Sequence, residues 1–474
     1  MMELVNCPGT DGRSRSMSAT KYIHIVDWIM HELDQNRLHS GMKLPSVRSL
    51  ATQFQCSKNT VVKALEVLKQ SHILYPKEKS GYFVVDDYKK PLTSNGQIDF
   101  LSAGPDPDVL PYEDFQHCMN QAIDRYKEQL FTYNDVEGLP SLRNELVRYL
   151  QNMQIFTKTD HIVVTSGSQQ ALHILSLMPF PNGKKTILIE EPTYFGMIDV
   201  LTLHHIPTMG IRLSNDGIDF EELERTFKTG DIKFFYIVPR CHNPLGHQYT
   251  NAEKKKIVAL AKKYDVYIVE DDYLGELDSD PKADPLYAHD QNDCVIYVKS
   301  FSKVFLPGLR LAAVVLPEGL IPSFSQYKFS ADFNTSPLTQ GALEIYLRSG
   351  MFHYHIQRAK EVYATKLALA LDACKTHLPL DILYTKPVNG FYLTIFLPER
   401  INVNRLIRML ADRNVQVGDT SGMFLKADGN KAIRISISQV DQQSISEGIF
   451  HIAVCIKAFQ QKATFNPLSL TSNR

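Results

Sequence analysis

Apolar residues recur with helical spacing over the first ninety positions, and beyond them in short runs of the kind that form buried strands. Tyr22, Ile25, Val26, Ile29, Met30 and Leu33 follow i, i+3, i+4, i+7, i+8 and i+11, which gathers them on one helix face. Gly41 and Pro45 interrupt that pattern. Pro45-Ser46 opens a second helix, with Ser46 as its N-cap and Val47, Leu50, Ala51 and Phe54 on its inner face. After a break at Gln55-Cys56, Ser57 caps a third helix with Val61, Ala64, Leu65 and Leu68 inside and Lys58, Asn59, Thr60 and Lys63 outside. Residues 73–76 and 82–85 flank a polar turn and read as a hairpin. Three short helices and a hairpin, in that order, predict a winged helix-turn-helix over residues 21–85.

On either side the pattern fades. Residues 1–20 have no apolar segment of the kind a secretory signal needs, and they read as a disordered leader. Residues 86–97, DDYKKPLTSNGQ, are polar and aperiodic and read as a hinge. From Ile98 to the end a new body begins. Short apolar runs at 161–165, 186–190, 233–238, 266–269, 294–298 and 311–316 alternate with helical stretches such as 252–264. Such alternation predicts an α/β fold, a mainly parallel doubly wound sheet over about 150–335, with ligand groups at the strands' C-terminal ends. The remainder of the body reads as a smaller α+β lobe.

Composition narrows the function classes. A chain of 474 residues is long enough for two or three domains, and 44% apolar with 22% charged residues is ordinary globular usage. A net charge of −1 gives no global attraction to nucleic acid, so any DNA-binding surface has to be local. Residues 1–90 do carry more Lys and Arg than Asp and Glu. Seven cysteines without a C-x-x-C pair argue against a disulfide framework or a zinc ribbon and fit a reducing cytoplasm.

The candidate chemistry centres on Lys303. It lies in a turn between two apolar runs, with Ser300 and Ser302 just ahead and Arg310 seven residues on, in a loop shaped by Pro307-Gly308. An amine near hydroxyls and a second cation suits attack on an aldehyde whose phosphate those hydroxyls and that guanidinium hold. Ser166-Gly167-Ser168-Gln169 joins a strand to a helix and places free N–H groups at a helix N-terminus, the other half of a phosphate cup, with Ser168 and Gln169 as its members. The run 266–269 ends in Glu270-Asp271-Asp272-Tyr273. A carboxylate there can face a pyridinium nitrogen and keep it protonated, and Asp271 and Asp272 are both placed for it. Arg434 sits in a short apolar strand, where a guanidinium needs an anion. Cys241 and His242 have no partner at ligand spacing, so no metal site is expected.

Two resemblances organise these residues. L-P-S-V-R-S-L-A at 44–51 followed by S-K-N-T-V-V-K-A-L at 57–65 is similar to the GntR family of bacterial repressors. That resemblance implies that Arg48, Lys58, Asn59 and Thr60 face DNA and that Gly81 lies at the wing tip. The N-terminal end of the third helix would point N–H groups and short donors into the major groove while Arg and Lys take phosphates. His72 departs from the family, which usually has glycine there.

The Ser300-Phe301-Ser302-Lys303 and Pro307-Gly308-Leu309-Arg310 segments resemble the S-x-S-K and P-G-x-R of the fold-type I pyridoxal-phosphate enzymes, the aspartate aminotransferase superfamily. The resemblance implies pyridoxal 5'-phosphate at Lys303, Asp271 on the ring nitrogen, and Tyr273 near the ring 3′ oxygen and Lys303, these three being the catalytic residues. Asn243, in a segment like P-x-x-Q-N-P-x-G, would donate to the 3′ oxygen, and Tyr194, in Glu191-Pro192-Thr193-Tyr194, would stack on the ring. Ser168, Gln169, Ser300, Ser302 and Arg310 would surround the phosphate. Tyr133 would reach a neighbouring subunit's phosphate, and Arg434 would fork onto a substrate α-carboxylate. Asn389 stands where the family has the first of two glycines, and Ala312 where it has Gly.

Together the two halves resemble the MocR subfamily, which includes GABA- and pyridoxine-responsive regulators. The resemblance implies a cytoplasmic transcriptional regulator of double-stranded operator DNA and a head-to-tail homodimer. Its body would bind pyridoxal phosphate as an internal aldimine and sense a small amino compound. A catalytically active aminotransferase with an attached DNA-binding module is the alternative, since the catalytic residues are retained. A body that answers to pyridoxal phosphate alone is a third reading, against which the intact Arg434 argues.

Overall fold

A computed structural model describes residues 13–35, 37–39, 41–70, 73–77, 80–85, 96–280, 282–426 and 431–463. The chain divides into two compact units, Met1–Asn95 and Gly96–Arg474.

The first unit contains α1 (Arg13–Asp34), α2 (Val47–Gln53), α3 (Lys58–Gln70), β1 (Leu74–Lys77) and β2 (Gly81–Val84). The leader expected over residues 1–20 does not run that far. Residues 13–20 belong to α1, a stretch that holds neither proline nor glycine to stop a helix, and residues 1–12 lie outside the described residues. Ser46 accepts from the Ser49 N–H at 3.1 Å and caps α2, and the Ser57 hydroxyl accepts from the Thr60 N–H at 3.2 Å at the head of α3. Ile25, Ile29, Leu50, Val61, Ala64, Leu65, Leu68, Leu74 and Val84 form the core, and Trp28 meets Phe54 edge-on. The two strands pair antiparallel with Lys77 opposite Gly81. Gly81 has φ +108°, a conformation open to glycine at little steric cost. His72, turn residues 78 and 79, and hinge residues 86–95 lie outside the described residues.

The second unit opens with β3 (Ile98–Asp99), α4 (Tyr112–Tyr126) and α5 (Pro140–Gln151). Its central elements are β4 (Ile162–Thr165), α6 (Ser168–Leu177), β5 (Thr186–Glu191), α7 (Phe195–Leu203), β6 (Thr208–Ser214), β7 (Gly217–Ile218), α8 (Phe220–Thr229), β8 (Ile232–Ile237), α9 (Asn251–Lys263), β9 (Tyr267–Asp272), β10 (Val295–Ser300) and β11 (Ala312–Val315). The strands form one sheet in the order β4-β11-β10-β9-β8-β5-β6-β7. Every residue of β4, β8, β10 and β11 is buried, which is why those runs are continuously apolar or nearly so rather than alternating.

The sheet from β10 through β9, β8 and β5 to β6 is parallel. β11 runs antiparallel to both β10 and β4, and β7 antiparallel to β6. The reversal of β11 matters for the site. Ala312 at its start pairs with Ser300 at the end of β10 and with Thr165 at the end of β4. The residues just before β11 therefore return to the edge where the parallel strands finish.

Beyond α10 (Ile321–Asp332) and α11 (Pro337–Arg348), the long α12 (Met351–His377) leads into the smaller lobe. That lobe holds β12 (Tyr392–Phe396), α13 (Val403–Ala411), β13 (Val415–Gln416), β14 (Gly418–Asp419), β15 (Ala432–Ser436) and α14 (Gln442–Ala463). β12, β15 and β14 form an antiparallel sheet, and β13 pairs in parallel with β3, so the first strand of the body belongs with its last elements. Among the described residues no helix is long and apolar enough to cross a membrane.

Candidate functional site

A cavity of about 460 Å³ opens at the edge where β8, β9 and β10 end and β11 begins. Ser168, Gln169, Tyr194, Asn243, Asp271, Tyr273, Ser300, Ser302, Lys303, Arg310 and Arg434 all line it. Tyr133 does not. It is 84% exposed, its ring 4.9 Å from that of Phe333.

One end of the cavity is built for an anion. Gly167, with φ +85°, turns the chain from β4 into α6, and the first residues of that helix are Ser168 and Gln169. A Cβ on Gly167 would lie 2.6 Å from Arg310 Nη2, so the turn and the guanidinium fit together only without a side chain there. Arg310 Nη1 donates to Ser302 Oγ at 3.3 Å, and the Ser302 N–H donates to Ser300 Oγ at 3.3 Å. Among the described residues no carboxylate pairs with Arg310.

Lys303 and Asp271 supply the reactive groups. The Lys303 amine is lowered to about 8 by burial and then by the charges of Arg434 and Arg310, and it donates to the Ala103 carbonyl at 2.6 Å. Burial raises Asp271 to about 6, while Tyr236, donating to its Oδ2 at 2.8 Å, works the other way. The Asp271 Oδ1 is buried with no hydrogen-bond partner. Asp272 points to the opposite face of β9, where Arg240 and Tyr297 engage its carboxylate, while Lys299 donates to its backbone carbonyl at 3.1 Å. Burial disfavours its charge, yet Arg240 and Lys299 hold its carboxyl below the usual range. The strand's alternation thus assigns the cavity to Asp271. It also removes Arg240 from the site, since that cation is buried against Asp272.

Arg434, on β15, faces the cavity from the smaller lobe. Its Nη2 donates to the Leu101 carbonyl at 2.7 Å, its guanidinium lies 5.2 Å from the centre of the Tyr392 ring, and its buried Nε has no partner. Tyr194 stands at the N-cap position of α7 without a side-chain capping bond, and its ring fills the space where a Cβ on Gly196 would sit. Asn243 lines the cavity with its Oδ1 buried and unpartnered. Tyr273 donates its hydroxyl to the Cys241 carbonyl rather than to Lys303. His242 is buried beside Glu190 at 3.4 Å, and among the described residues no three His, Cys, Asp or Glu gather to hold a metal.

Sequence reasoning passed over Tyr236, Tyr392 and the carbonyls of Leu101 and Ala103. Tyr236 is the middle of an apolar run, and only its position beside β9 makes it Asp271's donor. A backbone carbonyl carries no sequence signal.

In the first unit Arg48, Lys58, Asn59 and Gly81 are exposed, while Thr60 is half-buried with its hydroxyl 2.9 Å from Ser57 Oγ. Lys58, Asn59 and Thr60 form the first turn of α3. Lys63 lies 4.5 Å from the centre of the Tyr22 ring.

These groups fit pyridoxal phosphate. Its phosphate suits the α6 N-terminus with Ser300, Ser302 and Arg310, its ring N–H suits the open Asp271 oxygen, and its aldehyde suits Lys303.

The family described as aminotransferase class I and II matches residues 108–452, and the family described as bacterial regulatory proteins, gntR family, matches residues 21–84. The chain is 42% identical over 435 residues to the uncharacterized HTH-type transcriptional regulator YcxD of Bacillus subtilis (strain 168), covering 90% of this chain and 98% of that protein. It is 28% identical over 368 residues to the 2-aminoadipate transaminase of Thermus thermophilus, covering 76% of this chain and 90% of that one. Among solved structures, the Pyrococcus horikoshii kynurenine aminotransferase, in complex with PMP, superposes with a TM-score of 0.72 at 26% identity, over 77% of this chain and 92% of that chain.

Proposed function

The chain belongs to the aminotransferase class I and II family, with a GntR-family module in front of it in the MocR-like arrangement, and we propose that it is a DNA-binding transcriptional regulator whose body holds pyridoxal phosphate and senses a small amino compound. The observation that carries this reading is one cavity. It presents an amine lowered to about 8, two guanidinium groups that have no carboxylate partner among the described residues and a carboxylate with one open oxygen. The other unit of the same chain exposes Arg48, Lys58 and Asn59.

When bound, pyridoxal phosphate supplies an aldehyde carbon and an electron-withdrawing ring. The chain's own residues do the rest. Lys303 has a neutral fraction near pH 7 because burial and two neighbouring cations disfavour its proton. Asp271 is largely ionised at that pH and can hold a proton on a ring nitrogen, and Tyr236 keeps it oriented. Arg310, Ser300, Ser302 and the α6 N-terminus bind a phosphate, Tyr194 covers the ring and Asn243 meets its oxygen substituent. Arg434, with its free Nε, binds the carboxylate of the amino compound, which enters from the smaller lobe's side. Lys303, Asp271 and Tyr273 are the reactive set.

In this reading the protein works in the cytoplasm as a head-to-tail homodimer. The exposed aromatic group Phe131, Tyr133, Phe329 and Phe333 supports a subunit interface there, with Tyr133 reaching the neighbour's phosphate. Arg48, Lys58, Asn59, Thr60 and Gly81 meet operator DNA.

The test is the visible absorption spectrum of the full chain with added pyridoxal phosphate, wild type beside Lys303→Ala, with DNA binding followed in the same samples. A cofactor band lost in the variant, and DNA affinity that moves as an amino compound perturbs the band, is the expected result. No band in the wild type would sink the cofactor assignment. Sustained turnover with a keto-acid acceptor and no change in DNA affinity would make the body an enzyme instead.

A further inference from the structure

The charged groups of the cavity are all engaged by a phosphate, a ring and one carboxylate, and the wall left over is hydrocarbon. Arg310 answers to the phosphate, Asp271 to the ring nitrogen and Lys303 to the aldehyde. Among the described residues Arg434 is then the one lining cation left for a ligand carboxylate, because Arg240 is held by Asp272 behind β9. Asp271 is likewise the one carboxylate on the cavity wall among the described residues. The side chains without a part in holding the cofactor are Leu101, Ala103, Phe195, Val238, Pro307 and Tyr392. Burial pushes the Tyr392 phenol up to about 12, so it stays neutral.

Leu101 stands beside the cation that would take the carboxylate. A Cβ on Gly418, which pairs with Arg434 across β14 and β15, would lie 3.5 Å from Arg434 Nε, from Arg434 Nη2 and from Leu101 Cδ1. The Leu101 backbone is fixed there. Its N–H donates to Asp99 Oδ1 at 2.8 Å, and its carbonyl accepts from Arg434 Nη2 at 2.7 Å. That nitrogen carries a second N–H, so a carboxylate can bind Arg434 with this contact intact. The Leu101 residue is 45% exposed, and Phe195, the first residue of α7 with its ring 5.0 Å from that of Tyr194, is 46% exposed. Two large apolar side chains are thus open in one cavity, one beside the carboxylate's cation and one beside the aromatic that covers the ring. Covering them with hydrocarbon is favourable, and covering them with a charged group is not.

We propose that the compound this cavity takes is an amino acid with a single carboxylate and an uncharged, apolar side chain, and that Leu101 is the residue that selects it. This rests on the reading of the cavity as an amino-compound site. With the carboxylate on Arg434 and the amine at Lys303, the ligand's side chain has Leu101 for its neighbour on the Arg434 side. A second carboxylate there loses its water without gaining a cation. An ammonium finds no carboxylate, because Asp271 faces the ring and is held by Tyr236. A hydrocarbon side chain meets neither penalty.

The test is calorimetric binding of reduced, unreactive adducts to the cofactor-free full chain. The probes are phosphopyridoxyl-L-leucine, -L-alanine, -L-glutamate and -L-lysine, with pyridoxamine 5'-phosphate as the reference. In the wild type the leucine adduct binds about tenfold tighter than the alanine adduct, the worth of its extra hydrocarbon when partly buried. The glutamate and lysine adducts bind about thirtyfold or more weaker than the leucine adduct, the penalty of an unpaired charge. Leu101→Ala narrows the leucine-to-alanine ratio about fivefold, and Leu101→Met, which keeps the hydrocarbon, preserves it. A glutamate or lysine adduct that binds the wild type as tightly as the leucine adduct overturns the ligand class. A leucine-to-alanine ratio that Leu101→Ala leaves in place, with every adduct weakened alike, overturns Leu101 as the selecting residue and leaves it a structural one. In both cases the reference still binds, so the cofactor reading of the cavity stands. Failure of pyridoxamine 5'-phosphate and of every adduct to bind would overturn that reading and this proposal together.

Discussion

Tyr236→Phe removes one oxygen from the middle of the sheet and should move the ionisation on which the cavity depends. Tyr236 on β8 donates to Asp271 Oδ2 at 2.8 Å with both groups buried, and Asp271 stands at about 6. A hydrogen bond to a charged buried acceptor contributes about 1.5–3 kcal/mol. At about 1.4 kcal/mol per pKa unit, its loss raises Asp271 by roughly one to two units, to about 7–8. The sign follows from the bond's favouring the carboxylate, so losing it favours the neutral acid. At pH 7 the ionised fraction falls from roughly nine-tenths to a half or less. A neutral Asp271 cannot keep a ring nitrogen protonated. The assay is pyridoxal phosphate affinity across the neutral pH range, read from the absorption band, with the carboxyl stretch followed by infrared difference spectroscopy. Affinity in the wild type should fall on the acid side with a midpoint near Asp271's own value, and in Tyr236→Phe that midpoint should move up by one to two units. A midpoint that stays in place, in a variant that folds, would mean that Asp271 does not govern the interaction and that Tyr236 is only packing.

Other consequences can be checked alongside. Lys303, at about 8, should react with an aldehyde probe along a pH profile centred there, because only the neutral amine attacks, and Arg434→Met should shift the profile upward by removing a repelling cation. Asn389 bonds Ser279 and Asp278 across from the smaller lobe, so Asn389→Ala should lower stability in denaturant unfolding by about 1–2 kcal/mol. Lys58→Ala should weaken binding to operator and unrelated DNA alike and reduce the salt slope of log affinity by about one. Ser46→Ala should cost the first unit about 1 kcal/mol through the lost cap on α2, read as a lower unfolding midpoint.

Much of this protein is local in origin, and that part is legible in the chain. The faces of α1, α2 and α3 follow from apolar spacing, and the caps at Ser46 and Ser57 from a hydroxyl next to a helical run. The six apolar runs all became strands of one sheet, because a strand covered on both faces must be apolar at nearly every position. The residues of the cavity are marked in the sequence chiefly through the resemblance of segments such as Ser300-Phe301-Ser302-Lys303 and Pro307-Gly308-Leu309-Arg310 to S-x-S-K and P-G-x-R. The leader reads as ending at residue 20 because residues 13–20 show no apolar period, yet the chain is helical from Arg13.

Tertiary structure decided the rest, and in each case the deciding contact joins residues that are far apart in the chain. Asp271 and Asp272 are adjacent and chemically alike. Which one faces the cavity depends on what lies on each side of β9, and Arg240 and Tyr297 claim the Asp272 carboxylate. Arg310 reaches Gly167 and Ser302 because β11 runs against its neighbours, a direction that an apolar run does not encode. Tyr236 becomes Asp271's donor by strand pairing, and the Leu101 and Ala103 carbonyls meet Arg434 and Lys303 across more than 300 and about 200 positions. A sequence states which groups are available. The partners that set their charge and their orientation come from packing alone.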